Sequence, residues 1–339
     1  MLQRLCFDNI HLTATLQEDH PYVLSGKRMY AIGMMSGAPP KVGEAHLVGE
    51  MGGLWAQPFK ALDSWGLSIN GETADLVEFK GMFWGVERVR KRGTLMIREL
   101  EWVDEEEPAL FIQIAVNNLD ETEQEVRLAF HVVPNLRPCW MSTMLSGKTI
   151  TRESPSMLIA FDSAYPERAV AVVAEGGLRQ SCTLKPGEQL TTCVVVYATH
   201  VGGEHGAQMQ ARKLLQAIQP RQAHKREVYY LASRPDRLRG DSLEAAYRCA
   251  LLNIKLLEAD LQIGHYPISG LPEYPNLFGC DVAYSVGGLC LAGRSDLATD
   301  ALRALRNVAL RQCGRVPHEV LPDGNVFHPG NTQEIPQFV

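Results

Sequence analysis

Short apolar runs separated by turn signals dominate residues 1–205, and no helical period interrupts them. That pattern predicts a large antiparallel β-sandwich. Leu67-Ser68-Ile69 ends at Asn70-Gly71, the residue pair best suited to a tight hairpin turn. Leu95 to Val103 and Leu110 to Val116 flank the acidic tip Asp104-Glu105-Glu106-Glu107-Pro108, which predicts a second hairpin. Glu125 to Val133 alternates polar with apolar residues, and Leu158 to Phe161 follows as a short apolar run. Ala169 to Val173 and Thr191 to Ala198 are apolar enough for buried strands, with Pro186-Gly187-Glu188 turning the chain between them.

The period changes near residue 205. Ala207 to Ile218 has helical spacing and stops at Pro220, and residues 206–240 read as a helical linker broken at Ser233-Arg234-Pro235-Asp236. Asp241 or Ser242 then caps a long helix whose apolar face is Leu243, Ala246, Ala250, Ile254 and Leu257. A loop from Gly264 to Gly279 leads to a helix near Val282 to Leu291. Another runs from Ser295 to about Cys313, with Leu297, Ala301, Leu302, Leu305 and Val308 on one face. Gly293 and Gly314 are placed to end these two helices. Three such helices enclose no core alone, so residues 241–339 read as the beginning of a helical domain. The chain closes on Gln337-Phe338-Val339, an apolar run that reads as a helix start, and the expectation is a longer enzyme.

A length of 339 residues suits two domains, and 45% hydrophobic with 21% charged residues is ordinary for a globular protein. A net charge of -6 gives no reason to expect nucleic acid or an anionic membrane as partner. The basic run Arg88-Val89-Arg90-Lys91-Arg92 reads as a solvated strand or turn. The eight cysteines form no C-x-x-C pair; several, as in Thr192-Cys193-Val194 and Leu289-Cys290-Leu291, read as small buried hydrophobes. A reduced, cytoplasmic setting is expected. Met1 to Leu16 lacks the pattern of a signal peptide, and no run approaches the roughly 18 apolar residues of a membrane span.

The candidate chemistry gathers late in the chain. Asp281 begins a helix and reads either as its N-cap or as a carboxylate gripping sugar hydroxyls, with Tyr274, Phe278 and Tyr284 near enough in sequence to stack on a sugar ring. His318-Glu319 follows Pro317 in a loop. It reads as a structural pair or as part of a polar pocket, but not as a metal site, since H-E-x-x-H is absent. Asn331, Thr332, Gln333 and Glu334 suit either a helix cap or a loop that binds vicinal hydroxyls. Tyr229-Tyr230 and Trp55, Trp65, Trp84, Trp102 and Trp140 read as sheet or core packing. Gly52-Gly53 and Gly202-Gly203 lack the context of a phosphate loop, and neither G-x-S-x-G nor a P-loop occurs, so no cofactor is implied.

Y-P-N-L-F-G-C-D-V-A-Y-S, residues 274–285, resembles the P-W-F-G-R-D segment of bacterial glycogen-debranching-type (amylo-α-1,6-glucosidase-like) glycoside hydrolases. G-R-V-P-H-E-V and G-N-T-Q-E-I-P-Q-F resemble that family's G-x-I-P-H-E and T-D-E-T-P-L-F elements. The resemblance implies a sandwich followed by an (α/α)6 barrel that hydrolyses α-glucosidic bonds of glucans or oligosaccharides with inversion. Asp281 matches the family's acid and Glu334 its retained glutamate, while Cys280 and Gln333 depart from the usual Arg and Asp. Inversion needs two carboxyls about 6.5–9.5 Å apart, one protonating the leaving oxygen and one activating water. The resemblance puts that pair beyond Val339. Asp281, Tyr284, His318, Glu319, Asn331, Gln333 and Glu334 are then substrate-binding residues, with an α-glucan or oligosaccharide as ligand. The alternatives are a non-catalytic carbohydrate-binding or interaction module, or one half of a split enzyme. Apolar helix faces left uncovered would favour self-association.

Overall fold

A computed structural model describes residues 11–13, 18–40, 50–139, 142–233 and 241–330. Strands and helices are numbered in chain order. The larger sheet runs, side by side, β1 (His11–Thr13), β6 (Asp75–Met82), β7 (Gly85–Arg92), β8 (Leu95–Val103), β9 (Ala109–Asn118), β15 (Gln189–Thr199), β13 (Ala169–Ala174), β12 (Met157–Asp162) and β11 (Thr149–Ser154). The smaller one runs β14 (Arg179–Leu184), β10 (Gln124–Pro138), β5 (Phe59–Ile69), β4 (Gly53–Ala56), β3 (Tyr30–Met34) and β2 (Pro21–Ser25). Neighbouring strands pair antiparallel in both, and side chains from their facing surfaces form one core.

The local signals hold where they were strongest. Asn70 and Gly71 both take positive φ, at 53° and 84°, and Ile69 bonds Glu72 across the turn, as a primed hairpin turn requires. Val103 pairs with Leu110 around the acidic tip. β13 is buried along its whole length, for a simple reason. Val170, Val172 and Ala174 face the sandwich core, while Ala169, Ala171 and Val173 face a second cluster under the helices.

Two sandwich readings change. Pro186-Gly187-Glu188 does not join the two buried strands directly: β14 intervenes, crosses to the smaller sheet and pairs with β10. The run Arg88 to Arg92 is a strand, but Arg88 and Arg90 are buried, not solvated. They share a face with Val86, and each pairs with a glutamate on β8 diagonally across the register.

The helices are α1 (Gly203–Leu215), α2 (Ile218–Ala232), α3 (Asp241–Leu256), α4 (Gly279–Leu291) and α5 (Ser295–Arg311). Pro220 does not end a helix. The first one stops at Leu215, and Pro220 lies in the first turn of α2, where a missing N–H costs nothing. Ala207, Ala211 and Leu214 of α1, with Tyr229 of α2, cover the outer face of the larger sheet over Trp102 and Phe111. Gly293 ends α4 with the paired bonds of a Schellman turn. Residue Arg294 bonds Leu289 and Gly293 bonds Cys290. After α5 the left-handed position falls to Cys313 (φ 54°), with Gly314 one place later.

The segment read as a loop before α4 begins with a strand, β17 (Gly264–Pro267), which pairs with β16 (Glu258–Leu261) just ahead of it in a hairpin. Ala259 and Tyr266 on it, with Ile268, Leu277 and Val282, cover the apolar face of α5 at Ala301, Leu305 and Val308. That helix is therefore covered by the hairpin together with Leu277 and with Val282 of α4. Tyr284, Leu291, Leu243 and Leu310 remain exposed on the helices. The reading of Cys290 as a buried hydrophobe also fails, since α4 turns it outward.

The joint between sheets and helices is ionic. Glu105, at the β8–β9 tip, accepts Lys225 of α2 at 3.0 Å and pairs with Lys255 of α3, all three being buried. Lys255 also meets Glu258 at 2.7 Å, and Glu258 pairs with Arg294 and with His265 at 3.6 Å. Burial alone would raise the Glu258 carboxyl, but His265, Lys255 and Arg294 outweigh it and hold the group at about 2. His265 is raised in turn, chiefly by its bond to Glu258 and also by Asp300.

Candidate functional site

The predicted chemistry converges on the start of α4 and on a small sheet of β18 (Leu277–Phe278), β19 (Glu319–Val320) and β20 (Val326–His328). Its register sets Phe278 opposite Glu319, and Glu319 opposite His328. Gly279 donates to the His318 carbonyl at 2.9 Å, and His318 to the His328 carbonyl at 3.0 Å. A Cβ on Gly279 would stand 2.1 Å from the Pro317 carbonyl oxygen, so the closeness of helix and loop depends on this glycine.

The sandwich holds this assembly from below. Gln57 donates to the Pro275 carbonyl at 2.9 Å inside the protein, and Leu271 packs on the buried cluster of Tyr30, Ile32 and Trp55. Ser142 bonds Asp323 beyond β19.

Asp281 is the third residue of α4, not its N-cap. The cap position belongs to Phe278, which makes no side-chain capping bond. The carboxylate is exposed in the first turn, where the helix dipole favours negative charge. The Cys280 thiol lies 3.7 Å from Asp281 Oδ2 and 4.0 Å from His318 Nδ1, so cysteine sits between acid and imidazole. Tyr284, one turn on, is 74% exposed, and Tyr274 is exposed too. The Tyr274 ring belongs to a chain of aromatic contacts: Tyr274 meets Phe278 at 6.0 Å, Phe278 meets His318 at 5.5 Å and His318 meets His328 at 5.0 Å, all edge to face.

Glu319 is built in differently. It is buried, and Asn276 donates to its Oε1 at 2.7 Å. The structure therefore brings Asp281, Tyr284 and His318 to one accessible face and sets Glu319 behind it as a bonded support. Asn331, Gln333 and Glu334 lie outside the described residues. The sequence reading missed Asn276 and His328. Asn276 stands within the quoted P-N-L-F-G run and His328 before Pro329-Gly330, but only the strand register reveals their partners.

Chemically, the face offers one exposed carboxylate, imidazoles and flat apolar rings. Carboxylate and imidazole accept and donate to hydroxyls, and rings pack on apolar C–H surfaces. Among the described residues no group of His, Cys, Asp and Glu side chains is placed to hold a metal ion, and no helix is long and apolar enough to cross a membrane.

No family model and no curated protein sequence matches the chain. Solved structures do. A putative kojibiose phosphorylase from human microbiome matches with TM-score 0.55 and 10% identity, over 87% of this chain and 48% of that one. A bacterial glucoamylase complexed with acarbose matches with TM-score 0.53 and 11% identity, over 94% of this chain and 56% of that one. The chain spans about half the length of each. At such identities the likeness defines the fold, a large antiparallel β-sandwich followed by the beginning of an (α/α)6 toroid.

Proposed function

We propose that this chain binds the glucose units of an α-glucan or oligosaccharide and belongs to a glycoside hydrolase of the debranching or glucosidase type. The observation that carries the reading is the exposed carboxylate of Asp281, one turn before the exposed Tyr284 and separated from His318 by the Cys280 thiol, at the start of α4. A glucose ring has an apolar C–H face for an aromatic ring and an edge of vicinal hydroxyls for a carboxylate and an imidazole. Asp281, Tyr284 and His318 hold the sugar in this reading. Glu319 positions the loop through Asn276, and the resemblance adds Asn331, Gln333 and Glu334 to the substrate-binding residues. These residues bind substrate, and the inverting acid and base are supplied elsewhere in the complete enzyme. The fold likeness supports the class, and the residue pattern of 274–285 supports the substrate. The free cysteines, among them exposed Cys290 and Cys313, support a reducing cytoplasmic setting.

The test is calorimetric titration of the chain with maltotriose, for the wild type and for Asp281→Asn. Asn keeps the shape and removes the charge, so affinity should fall by about tenfold, the scale of one charge-assisted hydrogen bond. Stability should move by no more than about 0.5 kcal/mol, because the side chain is exposed. Equal affinity in the two proteins would overturn the assignment of Asp281.

A further inference from the structure

We propose a separate small-ligand site at the joint between the sandwich and the helical region, suited to a neutral sugar of one or two rings. A cleft of about 390 Å³ opens there between the end of β15, the turn joining β2 to β3 and the tip of the β16–β17 hairpin. Its sandwich wall carries Arg28, Tyr197 and His200, and its hairpin wall carries Asp260 and Gln262. Among the described residues none of α4 lines it, so the site is distinct from the face around Asp281.

Strand alternation and two cross-joint bonds build this cleft. Ala198 packs into the sandwich core, so Tyr197 and Thr199 lie on the face of β15 turned toward the helices. Thr199 Oγ1 accepts the Val201 and Gly202 N–H groups at 3.3 and 3.1 Å, a turn that presents His200 to the hairpin. Gln262 Nε2 then lies 3.5 Å from His200 Nε2. On the other side the Asp260 N–H donates to the Lys27 carbonyl at 2.8 Å, which brings Asp260 beside Arg28. Gln57 also lines the cleft and donates to the Pro275 carbonyl at 2.9 Å. These two bonds span the joint, so the walls are set before any ligand arrives.

The polar side chains in the cleft are not used up on one another. Arg28 and Asp260 stand 4.0 Å apart, beyond hydrogen-bonding distance, with 53% and 43% of their side chains exposed. A ligand hydroxyl fits between them. Its oxygen accepts from the guanidinium and its hydrogen goes to the carboxylate, each bond at about 2.8 Å. One cation against one carboxylate leaves no net charge. His200 adds none at neutral pH, because burial, with Arg168 and Arg28 nearby, holds it below its ordinary value. An anion would have to face Asp260 and a cation Arg28, so the matched ligand is neutral and rich in hydroxyls. The Tyr197 ring, with Pro108, Leu261 and Pro322, offers apolar surface to the C–H face of a pyranose. The volume lies low in the range of roughly 300–1,000 Å³ typical of small-molecule sites, which admits one or two rings and not a long glucan.

Arg28 and Gln262 probe the two walls, and both side chains are accessible enough to be cut back without loss of the fold. The experiment is calorimetric titration with maltose, joined to hydrogen exchange read by peptide, in a full-length Asp281→Asn/Tyr284→Ala background that disables the first site. Maltose should still bind there and should slow exchange in residues 197–202 and 258–267. Arg28→Ala should weaken binding by about tenfold, the scale of one charge-assisted hydrogen bond. Arg28→Lys should recover only part of this, because it keeps the charge and loses the fork. Gln262→Ala should give a smaller loss than Arg28→Ala. Matching thermal midpoints show that the cleft, not the fold, was altered. Absence of maltose binding in this background overturns the site, as does protection confined to residues 274–285 or an affinity that Arg28→Ala leaves unchanged. Competition by inorganic phosphate would overturn the neutral-ligand assignment. Each site has its own residues and its own protected segments, so failure of one reading leaves the other separately testable.

Discussion

Replacing Glu258 by Gln tests whether buried charge fixes the joint between the sandwich and the helices. The carboxylate is 3% exposed and faces three cationic partners, His265, Lys255 and Arg294. Its pKa is held from 4.5 down to about 2, which corresponds to about 3 kcal/mol of preference for the charged form. Gln keeps the size but turns an acceptor pair into one acceptor and one donor, leaving Lys255 and Arg294 short of an anion. Breaking a buried pair costs about 3–5 kcal/mol, so the two routes to the magnitude agree. The sign with pH is fixed as well. A depressed carboxylate stabilises the fold above its unfolded value of 4.5, and that contribution disappears as pH falls toward about 2. His265 is raised, so its contribution is complete below its ordinary 6.5 and is lost as pH rises through the folded value. Guanidinium denaturation of both proteins at intervals from acid to mildly alkaline pH measures this directly. The wild type should exceed Glu258→Gln by about 3 kcal/mol or more at neutrality. The gap should narrow on acidification below pH 4.5 and also on raising the pH above neutrality. A gap under about 1 kcal/mol at neutrality, typical of exposed ion pairs, would refute the reasoning. So would a gap that ignores pH.

Two further outcomes are expected. Gly279→Ala would place a methyl 2.1 Å from the Pro317 carbonyl, so the start of α4 must part from the β19 loop. Stability should fall by about 1–3 kcal/mol, as overpacking does, and maltotriose binding should fall with it; normal binding would show that the face tolerates the shift. The exposed apolar side chains Leu291, at 90%, and Tyr284 on α4 should make the chain self-associate at high concentration. Sedimentation of Leu291→Glu should show more monomer than wild type, and identical profiles would remove α4 from the contact.

Features written in short stretches of sequence were legible. The Asn70-Gly71 turn, the acidic-tip hairpin and the apolar face of α5 each depend on neighbours within one turn or one hairpin, and all are present. What failed depended on distant partners. Glu258-Ala-Asp-Leu shows neither period clearly, and becomes a strand because β17 pairs with it and α5 needs covering. Arg88 and Arg90 looked solvated because their sequence neighbours are charged; only the register of β7 against β8 shows that glutamates balance them inside. Pro220 is as compatible with a helix's first turn as with its end, and the choice was made by α1 stopping at Leu215. At the site, Asp281 and His318 stood out as residue types. The separation of Glu319 from the accessible face required its bond to Asn276, 43 positions away.

Among the described residues two clusters of buried charge stand out, and their surroundings decide what each does. Around Glu105, Lys225, Lys255 and Glu258 the ions lie between secondary-structure elements that close over them, so their valences are spent on one another and the result is a fixed joint. Around Arg88, Arg90, Glu99 and Glu101 the balance is made inside the sandwich, where Tyr22 also donates to Glu101 at 2.8 Å and the Met35 and Ser36 carbonyls accept from the two arginines. Val or Leu at these four positions would carry a lower desolvation cost. The charges instead tie β7 and β8 to the segment after β3, through guanidinium bonds to the Met35 and Ser36 carbonyls that apolar residues could not make.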